Sequence, residues 1–399
     1  MLYALVQSKL IANWLDANGM LWLVRLMYEL EFRAFAAVVV AFALVCIAAP
    51  PTIRWLRRQK IGDIARFDQA ELDRINSGKA NTPTMGGLFL CGSVLVTTLL
   101  LADVGGNRYV HLGIVVLIWL AIVGGTDDWL KLTANRRKPG SRTGLFAWEK
   151  LLFQAGIGLI AGLFLYQHQL GRTPDALVLN LPFQRTYENI RISEAIIQPP
   201  PLNPSVLVVG GLLYVLVAAF LITLTSNAVN LTDGMDGLAG GTVLMAALSM
   251  MVLCAIAASP EHAYRLLVPH VPDARELMVL SGAMAGACLA FLWFNCNPAR
   301  VFMGDTGSLP LGGLLAFIAI AVRQEFLLLV IGGVFFAEAA SVILQVGWFK
   351  WTRGGRLFRC APIHHHFHLL GWTEQQVVTR FWIVGVLLSF IAIVSLKLR

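Results

Sequence analysis

The chain is short of charge. Only 14% of its 399 residues are Asp, Glu, Lys or Arg, against roughly 25% in soluble domains, and that shortage argues against an ordinary soluble fold. Metal- or disulfide-type cysteine spacing is also missing. Cys46, Cys91, Cys254, Cys288, Cys296 and Cys360 form no C-x-x-C pair and mostly lie in apolar runs, so they read as small core residues. No G-x-x-x-x-G-K-[ST] loop occurs and no G-x-G-x-x-G follows a strand, which leaves ATP-driven and dinucleotide chemistry unsupported. Basic stripes with interleaved aromatics are absent, which argues against nucleic-acid binding. The first residues lack the compact basic start and small-residue cleavage site of a signal peptide, and the first true span can act as its own insertion signal. There is no internal repeat and no low-complexity tract.

What is present is apolar sequence. Hydrophobic residues make up 57% of the chain and the mean hydropathy is +0.70. Length alone would suggest two or three soluble domains, but repeated runs near the length of a bilayer span overrule it. The expected fold is an all-α polytopic membrane protein of about ten transmembrane helices. The spans are placed at 33–54, 84–103, 110–126, 146–167, 205–226, 238–258, 277–295, 308–322, 326–350 and 376–397. Residues 31–399 form one transmembrane domain in this reading, and 1–30 an amphipathic or interfacial segment. The stretch 168–204, with Pro174, Pro182 and Pro199-Pro200-Pro201, is the longest exterior segment. It predicts a small hairpin followed by an extended link, with no chemistry assigned.

The net charge of +8 is the lysine and arginine excess of an inner-membrane protein, and it also suits anionic phosphate substrates. Basic residues cluster after span one (Arg54, Arg57, Arg58, Lys60, Arg66, Arg74, Lys79), after span three (Lys131, Arg136, Arg137, Lys138, Arg142, Lys150) and after span nine (Lys350, Arg353, Arg356, Arg359). The positive-inside bias makes these loops cytoplasmic and, with an even number of spans, puts both termini outside. Four polar segments then fall on the cytoplasmic side: 124–131, 227–237, 302–308 and 361–366. Such groups cost several kcal/mol each to bury in hydrocarbon, by order-of-magnitude reckoning, so their convergence on one face predicts one site.

Each segment carries its own chemistry. Asp127 and Lys131 are i,i+4 neighbours, while Asp128 points about 100° away, so one carboxylate can pair with lysine and the other can address a metal or substrate. A salt-bridged helix end explains the same residues. Asn227 and Asn230 suit hydrogen bonds to sugar, base or phosphate, and Asp233 and Asp236 stand three apart beside Gly234 and Gly237, which allow tight turns; an Asx-capped interhelical turn explains the same residues. Asp305 is a hard oxygen ligand on a glycine-flanked turn, which suits Mg²⁺ better than zinc, or it is a helix cap together with Thr306. His364, His365 and His366 are adjacent and lack zinc-ligand spacing; they fit donors to phosphate or a uracil carbonyl, beside Arg353, Arg356 and Arg359. Glu338 and Gln345 share a helix face inside span nine, where Gly332-Gly333 could bend the chain; Glu338 reads equally as structural or functional.

With these motifs the chain resembles the phospho-N-acetylmuramoyl-pentapeptide transferase family. The matching stretches are Thr82-Pro83-Thr84-Met85-Gly86-Gly87, Asp127-Asp128, 227–237, 302–308, Arg323-Gln324-Glu325-Phe326 and Ala361-Pro362-Ile363-His364-His365-His366. The aspartate-rich motifs are shared with the wider superfamily of polyprenyl-phosphate sugar-1-phosphate transferases, and the histidine stretch points to the muramoyl-pentapeptide branch. The resemblance implies a ten-span homodimer in the bacterial inner membrane. It implies a Mg²⁺-dependent transfer of phospho-MurNAc-pentapeptide from UDP-MurNAc-pentapeptide to undecaprenyl phosphate at the cytoplasmic face, giving UMP and lipid I. By motif match it implies catalytic Asp127, Asp128 and Asp305, with Asp305 on Mg²⁺. It further implies a lining of Lys79, Lys131, Lys150, Asn227, Asn230, Asp233, Asp236, Asn295, Gln345 and the histidine triplet, with Phe302 stacking on uracil. An apolar groove between spans is expected to hold the prenyl chain, with span nine as one candidate wall. Segment 168–204 is longer than usual for the family, and residues 1–30 match no family motif.

Two rivals are weighed on the same residues. A sister enzyme using UDP-GlcNAc is disfavoured by the His364–His366 stretch. An anion transporter would place its polar groups near the bilayer midplane and often carry inverted repeats; here they sit at span ends.

Overall fold

A computed structural model of the chain describes residues 2–59, 82–134, 144–170, 177–181, 183–188 and 200–398. Three short helices, α1 (Leu2–Gln7), α2 (Lys9–Ala17) and α3 (Leu21–Tyr28), lead into α4 (Leu30–Arg58). There follow α5 (Gly87–Leu101), α6 (Arg108–Thr133) and α7 (Ala147–Gln169), then the two-residue strands β1 (Val178–Leu179) and β2 (Leu207–Val208). The second half holds α8 (Gly211–Thr232), α9 (Leu238–Ala258), α10 (Pro260–Arg265), α11 (Arg275–Asn295) and α12 (Asp305–Ala321). The chain ends with α13 (Glu325–Ile331), α14 (Gly333–Trp351), α15 (Ile363–Leu369) and α16 (Glu374–Ser395).

Among the described residues, seven helices are long and apolar enough to cross a bilayer, and an eighth span results if α13 and α14 count as one. The shorter apolar helices α5 and α12 complete the ten positions read from the sequence. The expected bend in span nine is an 81° break at Gly332 between α13 and α14. This is an all-α polytopic membrane protein.

The core is built around α12. All of its residues are buried, and it packs on α6 and α8, while α11 packs on α4 and α9. After Asp305 the α12 sequence has no charge and is apolar on every side, as a helix enclosed by other helices requires. At 17 residues it is about 25 Å long, short for a span, but protein surrounds it. The outer helices instead expose apolar side chains such as Ile47, Leu212 and Phe390, which belong in lipid.

The hairpin differs from expectation. β1 pairs antiparallel with β2 (Val178 with Val208, Leu179 with Leu207), and Tyr187 bridges Leu202. β1 thus pairs with residues beyond the segment, at the start of the range placed as span five, where α8 begins only at Gly211. Arg323 pins β1 to the bundle by donating from Nε to the Val178 carbonyl at 3.1 Å, a tertiary anchor that local alternation does not reveal.

Candidate active site

The end of α6 meets the start of α12. A Cβ at Gly124 would run into the Asp305 carbonyl, so the glycine permits the close approach that brings the three aspartates together. Asp128 accepts from Asp305 N at 3.2 Å, from Thr306 N at 2.9 Å and from Thr306 Oγ1 at 2.6 Å. It caps α12 from a neighbouring helix, where the positive end of the helix dipole favours a carboxylate. Pro310 has no N–H to return to the Thr306 carbonyl, and the Cys91 thiol donates to that carbonyl instead, at 3.6 Å.

Asp127 and Asp305 share two ammonium groups. Lys150 Nζ lies 2.6 Å from Asp127 Oδ2 and 2.6 Å from Asp305 Oδ2. Lys131 Nζ lies 2.8 Å from Asp127 Oδ2 and 3.4 Å from Asp305 Oδ2. Leu145 N donates to Asp127 Oδ1 at 2.7 Å. Asn230 donates to Asp305 Oδ1 at 2.7 Å and to Ser308 Oγ at 2.9 Å. Asp233 accepts from Gly304 N at 3.2 Å. Desolvation and the Asp305 carboxylate push the pKa of Asp233 well above the ordinary carboxylate value. One oxygen each from Asp127, Asp128 and Asp305 lie within 4.8 Å of one another, and this buried cluster could hold a metal ion.

The four polar segments of the sequence thus meet. Segment 124–131 touches 302–308 through Asp128, segment 227–237 reaches it through Asn230 and Asp233, and His364 packs against Gly234. His364 and His365 are buried with their rings 4.1 Å apart, and His366 Nδ1 accepts from Arg359 N at 3.1 Å.

Other expected site residues bond to other partners. Asn227 donates to Gln154 Oε1 (2.7 Å) and the Thr223 carbonyl (2.8 Å), tying α8 to α7. Asp236 accepts from Asn297 Nδ2 and Ala299 N, and its own N–H goes to Glu374. Asn295 accepts from Gly237 N and donates to the Val301 carbonyl. Gln345 accepts from Leu357 N and Phe358 N. Phe302 is half-buried and its backbone bonds Pro83 and Gly86. Lys79 lies outside the described residues.

Three bracing residues escaped the sequence reading as site residues: Thr306, Gln154 and Glu374. Gln154 had a usable signal, being a lone amide four residues after Lys150 in an apolar run. An apolar cavity of about 680 Å³ lies between α5 and α6, lined by Leu88, Gly92, Ala121, Gly125, Trp129 and Thr306 among others. That is a different place from the candidate wall along span nine. Its Thr306 wall is the residue that bonds Asp128.

Comparison with known proteins adds to this geometry. Residues 110–323 match Glycosyl transferase family 4. A protein of Thermodesulfovibrio yellowstonii named phospho-N-acetylmuramoyl-pentapeptide-transferase is 40% identical over 93% of this chain and 94% of its own length. Proteins of the same name from Desulfotalea psychrophila and Desulfosudis oleivorans are each 41% identical, with the same coverage.

Proposed function

The chain belongs to the phospho-N-acetylmuramoyl-pentapeptide transferase family, and from that premise we propose a specific reaction and a role for each part of the site. The enzyme transfers phospho-MurNAc-pentapeptide from UDP-MurNAc-pentapeptide to undecaprenyl phosphate, forming lipid I and UMP in peptidoglycan synthesis. It works with Mg²⁺, as a homodimer, in the bacterial inner membrane. The lysine and arginine bias supports a site facing the cytoplasm.

The observation that carries this reading is the set of contacts on Asp305. Groups from α6, α7 and α8, far apart in sequence, all end on its carboxylate. The chemistry asks for such a site. An oxygen of the acceptor phosphate attacks the β-phosphorus of the donor, the bond from that phosphorus to the UMP oxygen breaks, and UMP leaves with the electron pair. The acceptor is already anionic near neutral pH, so the barrier is mainly bringing two anions together. Lys131 and Lys150 supply positive charge at that point. The carboxylate oxygens of Asp127, Asp128 and Asp305 are hard donors with no His or Cys among them, which fits Mg²⁺. When bound, the ion supplies neutralisation of phosphate oxygens and of charge on the departing UMP. Asp128, engaged with the start of α12, holds Asp305 in position. Asp127 orients the two ammonium groups. The cavity between α5 and α6 takes the prenyl chain of the acceptor.

UMP release tests the reading. Purified protein given undecaprenyl phosphate, Mg²⁺ and UDP-MurNAc-pentapeptide releases UMP, EDTA abolishes release, and UDP-GlcNAc does not replace the donor. Release with UDP-GlcNAc would move the chain to the sister branch, and no release with either donor from folded protein would sink the reading.

A further inference from the structure

A buried acid that the reaction does not use lies beside the histidine segment. Glu338 on α14 and His364 at the start of α15 both have 0% side-chain exposure. Glu338 Oε2 stands 3.1 Å from His364 Nδ1 and accepts the His364 backbone N–H at 3.4 Å. A carboxylate this deep in a bundle is costly without a partner, and the imidazole lies at contact distance. Neither ring nitrogen of His364, nor Glu338 Oε1, has a hydrogen-bond partner among the described residues, although all three are buried.

The Nε2 edge of the ring lies against the aspartate-rich turn. A Cβ added to Gly234 would collide with His364 Nε2, so the glycine is the wall against which the ring lies. The preceding residue, Asp233, accepts from Gly304 N, and Gly304 directly precedes Asp305. A route of contacts therefore runs from Glu338 through the ring to the turn and on to the metal-capable cluster.

We propose that Glu338 is a positioning residue for donor binding: its buried contact with His364 holds the imidazole against the 233–237 turn, and so keeps that turn, which bonds Gly304 through Asp233, in place for the nucleotide-sugar diphosphate. This rests on the reaction proposed above. Glu338 touches no substrate in this scheme and acts only through His364, as outer partners of functional histidines do.

The test separates positioning from mere stability. Glu338→Ala raises KM for UDP-MurNAc-pentapeptide about tenfold, equivalent to about 1.4 kcal/mol, and leaves KM for undecaprenyl phosphate unchanged. His364→Ala shows the same split, and adding Glu338→Ala to it changes nothing further, because both act through one contact. Where Glu338→Ala does not fold, Glu338→Gln, which keeps the volume and removes the charge, shows the same rise. A folded variant with wild-type KM for the donor, or additive losses in the double variant, overturns the proposal. Histidine-labelled protein gives a second reading by ¹⁵N NMR: the His364 ring signals shift in Glu338→Gln if the pair positions the ring, and unchanged signals overturn the idea. That readout stands even if wild-type protein releases no UMP, which would sink the reaction and not the pair.

Discussion

Opposite ends of the bundle hold buried charge in opposite ways. At the start of α4 and α11, Arg33 meets Glu276 through two contacts of 2.7 Å. Arg33 also donates to the Leu101 carbonyl, and Glu276 accepts from Asp103 N. Next to β1, Arg323 meets Glu325 at 3.0 Å. Each pair cancels its own charge. At the other end, Asp127 and Asp305 share two ammonium groups, Lys131 and Lys150, while the neighbouring Asp128 and Asp233 accept from the backbone of the 304–306 turn. Buried charge left unbalanced is destabilising, so stability alone would favour the first pattern throughout. The excess of carboxylates in the second suits a divalent cation, which the cluster of Asp127, Asp128 and Asp305 could hold.

The contrast can be broken most severely at Asp305. Asp305→Asn keeps the shape and the N-terminal position in α12 but removes the charge on which both lysines converge. Turnover is expected to fall on the order of 10³-fold, which is about 4 kcal/mol in the barrier, while the melting temperature in detergent hardly moves. Wild-type turnover in this variant would remove Asp305 from the chemistry.

Arg33 tests the balanced end, with the reverse signature. Arg33→Met strands Glu276 in a buried site and should cost about 3 kcal/mol of stability, with kcat unchanged in the protein that remains folded. Arg33→Met combined with Glu276→Leu should regain most of that loss, because no orphan charge is left. Thermal unfolding and UMP release on the same samples give both numbers. A fall in kcat as large as the Asp305→Asn effect would mean that the two ends are coupled.

Part of this was legible in the sequence. The ten apolar helices follow from hydropathy, and Gly332-Gly333 marked the break in span nine. The aspartates stood out because carboxylates are costly between apolar runs. What side chains face was not legible. Asn227, Asp236, Asn295 and Gln345 carry the same polar groups as Asn230, yet they brace α7, the 297–299 loop, the start of α9 and the 357–358 backbone. Direction depends on neighbours supplied by distant helices, as with Glu338, whose partner is 26 residues away. The burial of α12 was equally hidden, since an apolar run reads alike whether lipid or protein surrounds it.

The smallest expected effect concerns the cavity beside the unbalanced end. A Cβ at Gly92 meets nothing within 4 Å, and Gly92 lines the cavity inside α5. Gly92→Leu therefore fills open space without a clash, and replacing a mid-helix glycine should if anything favour the helix by about 0.5–1 kcal/mol. If the cavity holds the prenyl chain, KM for undecaprenyl phosphate rises roughly threefold, or about 0.7 kcal/mol, and KM for the nucleotide donor stays put. A short-chain polyprenyl phosphate that does not reach Gly92 should feel the change less. Equal KM values for the long-chain acceptor in wild type and Gly92→Leu would move the chain to another groove, with the exposed apolar face of α14 (Ile343, Leu344, Val346) the next place to fill.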